Sequence, residues 1–410
     1  MTETTIAGPR LADFHRAREV VSPIVKTTPM ESSTFVSAAL GAPVFLKCEN
    51  LQRTGSYKIR GAYYRLSRLT PEERARGVVA ASAGNHAQGV AYAARELGIT
   101  ATIFMPVGVA LPKLQATRGY GAQVVLSGDI FDETLAASQE FSEQTGAVFI
   151  PPFDHEDVIA GQGTLGLEIL EQVPDVETIV IPIGGGGLIA GVASAIRQSV
   201  DHPVRIIGVQ AENAAPYPIS LAAGEATRIT ISPTIADGIA VAKPGLLNFE
   251  IIRDTVDEIV TVADDETAKG LVQLLERSKL VVEPAGAVGV AAILAGKVRA
   301  QGTTVVILSG GNIDPLMMER IVAYGLSASE RYLKIKIPLP DRPGQLAETS
   351  RIVAEQNANV VEVQHTRHGT GMQISAVELE LHIETRGPEH AEKVLTALRE
   401  HGYDPTVVYG

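Results

Sequence analysis

The stretch from Gly77 to Pro106 reads GVVAASAGNHAQGVAYAARELGITATIFMP, and it decides the fold class. Gly77 to Ala81 is a short apolar run and Ser82 to Asn85 a small polar turn. His86 to Leu97 is a helical pattern closed by Gly98, and Ala101 to Pro106 is a second apolar run. Short apolar runs between turn signals read as strands, and a strand, helix, strand repetition implies a parallel sheet covered by helices on both faces. The alternation begins near residue 44 and returns at Gln123 to Ser127, Glu177 to Ile183, Val204 to Val209 and Thr303 to Leu308. Thr70-Pro71-Glu72-Glu73 supplies a helix start, with threonine as cap, proline in the first turn and acids favoured by the helix dipole. Asp265 to Lys279 has its acids first and its bases last, around an apolar stripe of Leu271, Leu274 and Leu275. In such α/β folds ligands bind at the carboxyl ends of the strands, so function is expected in strand-to-helix loops.

The pattern changes after Tyr324. Residues 326–331 are short, small and polar and read as a linker. Beyond them, Tyr332 to Leu339 alternates as a strand, Pro343 to Asn357 reads as a helix, Asn359 to Thr366 and Ser375 to Glu384 as strands, Glu389 to His401 as a helix and Pro405 to Val408 as a last strand. That βαββαβ order is the ferredoxin-like motif. The expected organisation is therefore a catalytic region over residues 1–325, with a small subdomain at roughly 50–150 inserted in a larger one, then the linker, then a separate unit over 332–410.

At 410 residues the chain is long enough for two or three cores. Lys+Arg 35 against Asp+Glu 47 gives a net charge of -12, which argues against nucleic acid as a partner. Met1 to Arg10 carries no basic region followed by an apolar core, and no run is long enough to cross a membrane, so a cytosolic protein is expected. Cys48 stands alone and reads as a small core residue.

Four strand-to-helix loops carry chemistry. In Gly55-Ser56-Tyr57-Lys58-Ile59-Arg60-Gly61-Ala62 a lysine opens a helix, where the dipole disfavours its charged form; taken alone, an ordinary surface lysine is the commoner reading. Ser82-Ala83-Gly84-Asn85-His86 precedes a helix and leaves backbone N–H groups free for a carboxylate, although a plain N-cap turn has the same composition, and His86 by itself is more often packed than catalytic. Gly184-Gly185-Gly186-Gly187-Leu188 follows an apolar strand and can wrap an anion. A dinucleotide site would want a glycine at Ile189 and an acid at Gln210, and a P-loop would want Gly-Lys-Ser/Thr, so a monophosphate is the better ligand. Ser309-Gly310-Gly311-Asn312 puts a hydroxyl at a strand end, where it can bond a neutral ring nitrogen; an isolated turn of this kind would mean nothing.

Taken together, a helix-start lysine, a carboxylate loop, a phosphate loop and a hydroxyl for a ring nitrogen describe a site for pyridoxal 5'-phosphate (PLP). Residues from about 10 to 325 resemble the fold type II PLP enzymes. Ser56 to Ala62, Ser82 to His86, the tetraglycine, Val282-Glu283-Pro284-Ala285-Gly286-Ala287 and Ser309 to Asn312 resemble the threonine dehydratase (threonine ammonia-lyase) family in particular. The resemblance implies that Lys58 carries the cofactor and is catalytic, that Asn85 bonds the ring hydroxyl, that Gly184, Gly185, Gly186, Gly187 and Leu188 hold the phosphate, and that Ser309 faces the ring nitrogen. Tyr57 stands where the family often has phenylalanine and would pack beside the cofactor. Ser82, Ala83, Gly84, Asn85 and His86 would bind the substrate. The implied reaction is dehydration and deamination of a hydroxyamino acid, threonine first and serine second. Serine dehydratase, threonine synthase, a nicotinamide oxidoreductase and a silent amino-acid sensor are the competing readings.

Related racemases carry a second serine where Ala83 stands, so racemisation is not expected. They also hold a divalent ion near the segment matching Gln210 to Pro216, where Glu212 is the carboxylate present here; no tightly bound Mg²⁺ is expected. Asp341-Arg342-Pro343-Gly344-Gln345-Leu346 resembles the first turn of the ACT regulatory domain, which implies an amino-acid effector such as isoleucine or valine and a homo-oligomer, a dimer or tetramer.

Overall fold

The computed structural model describes residues 8–366 and 376–408. The chain divides into two compact units, Met1–Asp314 and Pro315–Gly410. In the first, strands β1 (Met30–Ser32), β2 (Val44–Lys47), β3 (Val78–Ala81), β4 (Ala101–Met105), β5 (Gln123–Leu126), β6 (Val148–Phe149), β7 (Thr178–Pro182), β8 (Arg205–Ala211), β9 (Glu258–Val262) and β10 (Thr304–Ile307) form two sheets. The six-stranded sheet has the order β1-β2-β10-β7-β8-β9, parallel except for the antiparallel edge β1. The four-stranded sheet, order β5-β4-β3-β6, is parallel throughout. Each has its own core. Ile179, Ile181, Ile189 and Val305 are buried in the larger, and Ile59, Val90, Ile103 and Met105 in the smaller.

The sequence missed β1, β6 and β9 for a common reason: each is a short sheet edge, only partly buried, and lacks the fully apolar run of a central strand. The capped helix start is present, with the Glu73 N–H donating to Thr70 Oγ1 at 3.2 Å and the Thr70 N–H to Glu73 Oε2 at 2.8 Å. The helix read over Asp265 to Lys279 is α-helical only over Asp264–Gln273, continues as a π turn over Leu274–Ser278 and ends with Lys279 at φ 60°.

The helices Lys58–Ser67 and Glu156–Gln172 meet at backbone contact. A Cβ on Gly161 would stand 2.6 Å from the Arg60 carbonyl oxygen, so only glycine allows that approach. Below the contact lies a buried charge cluster. Arg60 bonds Glu49 Oε2 at 2.8 Å and Glu168 Oε2 at 2.8 Å, and Lys47 bonds Glu168 Oε1 at 2.5 Å. The helix that begins at Lys58 is thereby tied to β2 and to the Glu156–Gln172 helix.

In the second unit, β11 (Tyr332–Pro340), β12 (Asn359–Thr366), β13 (Ala376–Glu384) and β14 (Thr406–Val407) form an antiparallel sheet in the order β12-β13-β11-β14. The helices Gln345–Glu355 and Pro388–Glu400 bury Ile352, Val353, Val394 and Leu398 against Ile335, Ile337, Leu379 and Leu381. This is the expected βαββαβ unit; Ser375, expected in its third strand, lies outside the described residues. A helix, Pro315–Ala328, precedes the first strand and occupies the start of the stretch read as a linker. Its small polar end is held by Ser329, whose N–H and hydroxyl both donate to the Gly325 carbonyl, at 3.1 and 2.7 Å. Among the described residues, no helix is long and apolar enough to cross a membrane.

Candidate active site

Lys58 is the first residue of its helix, with Tyr57 as N-cap. Ser56 bridges to Gly310, and the Tyr57 N–H donates to the Ser309 carbonyl at 3.2 Å, so the helix start is stitched to the loop after β10. Gly55 lies at φ +72°, and a Cβ there would fall 2.3 Å from Asn312 Oδ1. The turn into Lys58 therefore needs glycine. Lys58 Nζ donates to the Pro152 carbonyl at 2.9 Å and sits 5.3 Å from the centre of the Tyr57 ring. Burial lowers its pKa to about 8, opposed by the negative charge of Glu283. Desolvation thus leads, where the sequence expectation had rested on the helix dipole.

β3 delivers the Ser82 loop at its carboxyl end, where the helix Asn85–Leu97 begins. Ser82 Oγ accepts from the Gly84 N–H at 3.1 Å. Burial, and after it the charge of Lys58, pushes the His86 pKa down to about 3. The ring is therefore neutral, and at 2.9 Å its Nε2 donates to the Ile150 carbonyl. Asn85 Nδ2 donates to Glu283 Oε1 at 2.6 Å, while Asn85 Oδ1 accepts from Asn312 Nδ2 at 2.8 Å. Those two partners fix which way the Asn85 amide points.

The tetraglycine joins β7 to the helix Gly187–Ser199. A Cβ on Gly185 would stand 2.4 Å from the Phe153 ring, and one on Gly186, at φ +102°, 2.0 Å from Tyr217 Oη. The Gly185 carbonyl accepts from Tyr217 Oη and Asn248 Nδ2, both at 3.0 Å. The loop is thus bare backbone clamped from behind. Ser309, 4 % exposed, follows β10. Gln210 is fully buried and accepts from the Tyr217 N–H at 3.1 Å, so it holds the start of the helix Pro216–Ala223.

Tyr57, Lys58, Ser82, Ala83, Gly84, Asn85, His86, Gly184 to Leu188 and Ser309 line one cleft of about 1390 Å³. Residues 21–310 match the family of pyridoxal-phosphate dependent enzymes. The chain belongs to that family. Residues 335–402 match the ACT domain. This pyridoxal-phosphate dependent enzyme is 49% identical over 399 residues to an L-threonine ammonia-lyase of Thermotoga maritima, covering 97% of this chain and 99% of the relative. The catabolic L-threonine dehydratase of Escherichia coli K12 is 46% identical over 315 residues, 76% of this chain and 95% of its own. Among solved structures, a threonine deaminase isoform from Solanum lycopersicum superposes with a TM-score of 0.72 at 36% identity, covering 78% of this chain and 96% of that one. Maize serine racemase does so with a TM-score of 0.73, also at 36% identity, over 78% and 98%.

The residues present fit the cofactor that names the family: an amine for its aldehyde, a side-chain-free loop at a helix start for its phosphate and a buried hydroxyl for its ring nitrogen. Sequence reasoning missed two groups in the cleft. Glu283 lies within the Val282 to Ala287 motif, which by itself assigns it no role. It is 5 % exposed, and burial, followed by the charge of Asp237, raises its pKa to about 7. Lys113 was not singled out, although it lies in the first turn of the helix that follows β4, at the same carboxyl edge as the Ser82 loop. The strand-end rule, applied to that loop as well, would have found it.

Proposed function

We propose that the chain converts L-threonine to 2-oxobutanoate and ammonia, with L-serine to pyruvate as a side activity, and that Lys58 is its catalytic residue. The observation that carries the reading is an amine with its pKa near 8 that shares one cleft with a bare glycine loop and a strand-end serine. Similarity over nearly the whole length of the Thermotoga relative supports it.

When bound, pyridoxal phosphate supplies an electron sink for charge developing on the substrate Cα. Lys58 would hold it, Gly184 to Leu188 would cradle its phosphate, Asn85 would meet its ring hydroxyl, Tyr57 would pack beside the ring, and Ser309 would donate to its ring nitrogen. Ser82 to His86 hold the substrate carboxylate. Lys58, as a neutral amine, takes up the Cα proton on Nζ. Loss of the β-hydroxyl releases water and leaves an enamine product, whose hydrolysis returns that water, so the net products are the oxo acid and ammonia. Ala83 offers no hydroxyl for a second acid–base group, which weighs against racemisation.

The C-terminal unit binds an amino-acid effector of the branched-chain class, isoleucine or valine, and regulates turnover through a homo-oligomer, a dimer or tetramer. The enzyme works in the cytosol and has no nucleic-acid partner. The test is 2-oxo acid release from L-threonine and L-serine by the holoenzyme, with Lys58→Ala as blank. Faster release from threonine that vanishes in the variant supports the reading; no oxo acid from either substrate overturns it. Isothermal titration with isoleucine and valine tests the effector, and heat from neither rules it out.

A further inference from the structure

The Ser82 loop offers an incoming carboxylate backbone N–H groups and neutral side chains, and its one histidine is uncharged and turned to a backbone carbonyl. A cation nevertheless stands opposite it. A Cβ built on Gly84 finds one atom within 4 Å, and that atom is Lys113 Nζ, at 4.0 Å. Lys113 and Gly84 line the same cleft. The amine is held by Asp237, Nζ to Oδ2 2.9 Å; the Lys113 side chain is 18% exposed and that of Asp237 is 64% exposed. The lysine is thus shielded, while its partner is largely in water and held cheaply. Lys113 comes from the first turn of the helix Leu111–Gly119, and Asp237 opens the turn Asp237–Ile239, which also lines the cleft. Glu283 also feels the lysine's charge.

We propose that Lys113 is a substrate-binding residue: its ammonium, pre-positioned by Asp237, faces the α-carboxylate held on the Ser82 to Asn85 loop and selects free amino acids over uncharged derivatives. The proposal rests on the placement of the carboxylate at that loop. The physical reason is charge. Backbone N–H groups at a helix start bind a carboxylate and a carboxamide oxygen with modest discrimination, whereas an ammonium in a shielded cleft discriminates by the full charge. Negative charge that spreads from Cα onto the carboxylate as the proton leaves strengthens the same contact. Gly84 is part of the device, because a side chain there would fill the space between the loop and the amine.

The experiment measures inhibition of L-threonine turnover by L-alanine and by L-alaninamide, which share a skeleton and differ in the carboxylate charge. Holoenzyme of the wild type, Lys113→Met, Lys113→Arg and Asp237→Asn is compared. In Lys113→Met the preference for the acid over the amide falls about tenfold to a hundredfold, through weaker alanine binding with alaninamide unchanged. Lys113→Arg restores most of the preference, and Asp237→Asn, which leaves the cation in the cleft, keeps it. Equal losses for both inhibitors in Lys113→Met, an unchanged ratio, or the same loss in Asp237→Asn as in Lys113→Met overturns the proposal, since each makes Lys113 only a strap for Asp237. Failure of the parent reading appears earlier and separately, as a wild type that releases no oxo acid from threonine.

Discussion

Two lysines eleven positions apart in the sequence, Lys47 fully buried and Lys58 half-buried, have opposite uses. Lys47, with no exposed surface, ends β2 and is surrounded by acceptors: Glu168 Oε1 at 2.5 Å, Gln172 Oε1 at 2.6 Å and the Thr28 carbonyl at 2.8 Å. Among the described residues, Lys58 has one hydrogen bond, to the Pro152 carbonyl, and no carboxylate within bonding distance. Burial lowers both pKa values, but at Lys47 the charge and hydrogen bond of Glu168 work against it, while at Lys58 only the more distant charge of Glu283 does. Desolvation with a bonded carboxylate makes a structural ion; desolvation with only a carbonyl makes an amine that sheds its proton near neutrality. The buried cluster serves Lys58, the proposed catalytic lysine, indirectly, since Arg60, two residues on, anchors the first turn of its helix to Glu49 and Glu168.

The comparison breaks most visibly at Lys58. Lys58→Ala lowers turnover of threonine by at least about 10⁴-fold while leaving the urea midpoint of the cofactor-free protein close to wild type, because the half-buried amine is held by a single carbonyl hydrogen bond. A variant that keeps a hundredth of the activity would place the base elsewhere. Next comes Glu168→Ala, which gives Lys47 the same lack of a carboxylate that Lys58 has and also strips one from Arg60. It costs about 3 to 5 kcal/mol, read as a fall in the urea midpoint at unchanged slope. A loss below about 1 kcal/mol would mean that Gln172 and Thr28 suffice for Lys47.

The remaining predictions concern titration. Only the neutral amine attacks an aldehyde, so the rate at which cofactor-free protein captures pyridoxal phosphate rises with pH and is half-maximal near pH 8, the value to which burial brings Lys58. A midpoint at the ordinary lysine value of 10.5 would show that the site leaves the amine unperturbed. The smallest effect is at Glu283. Its charge raises the Lys58 pKa, so Glu283→Gln moves the capture midpoint to lower pH; a shift to higher pH would contradict the sign of that interaction.

The sequence by itself determined the α/β class, the central strands, the βαββαβ unit and the four loops, because each of these is written in local chemistry. Fully apolar runs mark strands buried on both faces, Thr70 to Glu73 marks a cap, and four glycines in a row have few uses besides a backbone that touches a ligand. Short edge strands, the π turn after Gln273 and the helix that runs into the start of the expected linker were not legible, since propensity is weak there and tertiary contacts choose the conformation. What only the tertiary structure decided is which charges meet. Lys47 and Lys58 look alike as letters, and Glu168, Glu283, Asp237 and Lys113 carry no local mark of their partners. Burial and pairing depend on residues more than ninety positions away, as Lys47 with Glu168, Lys58 with the Pro152 carbonyl and Lys113 with Asp237 each show only once the chain is folded.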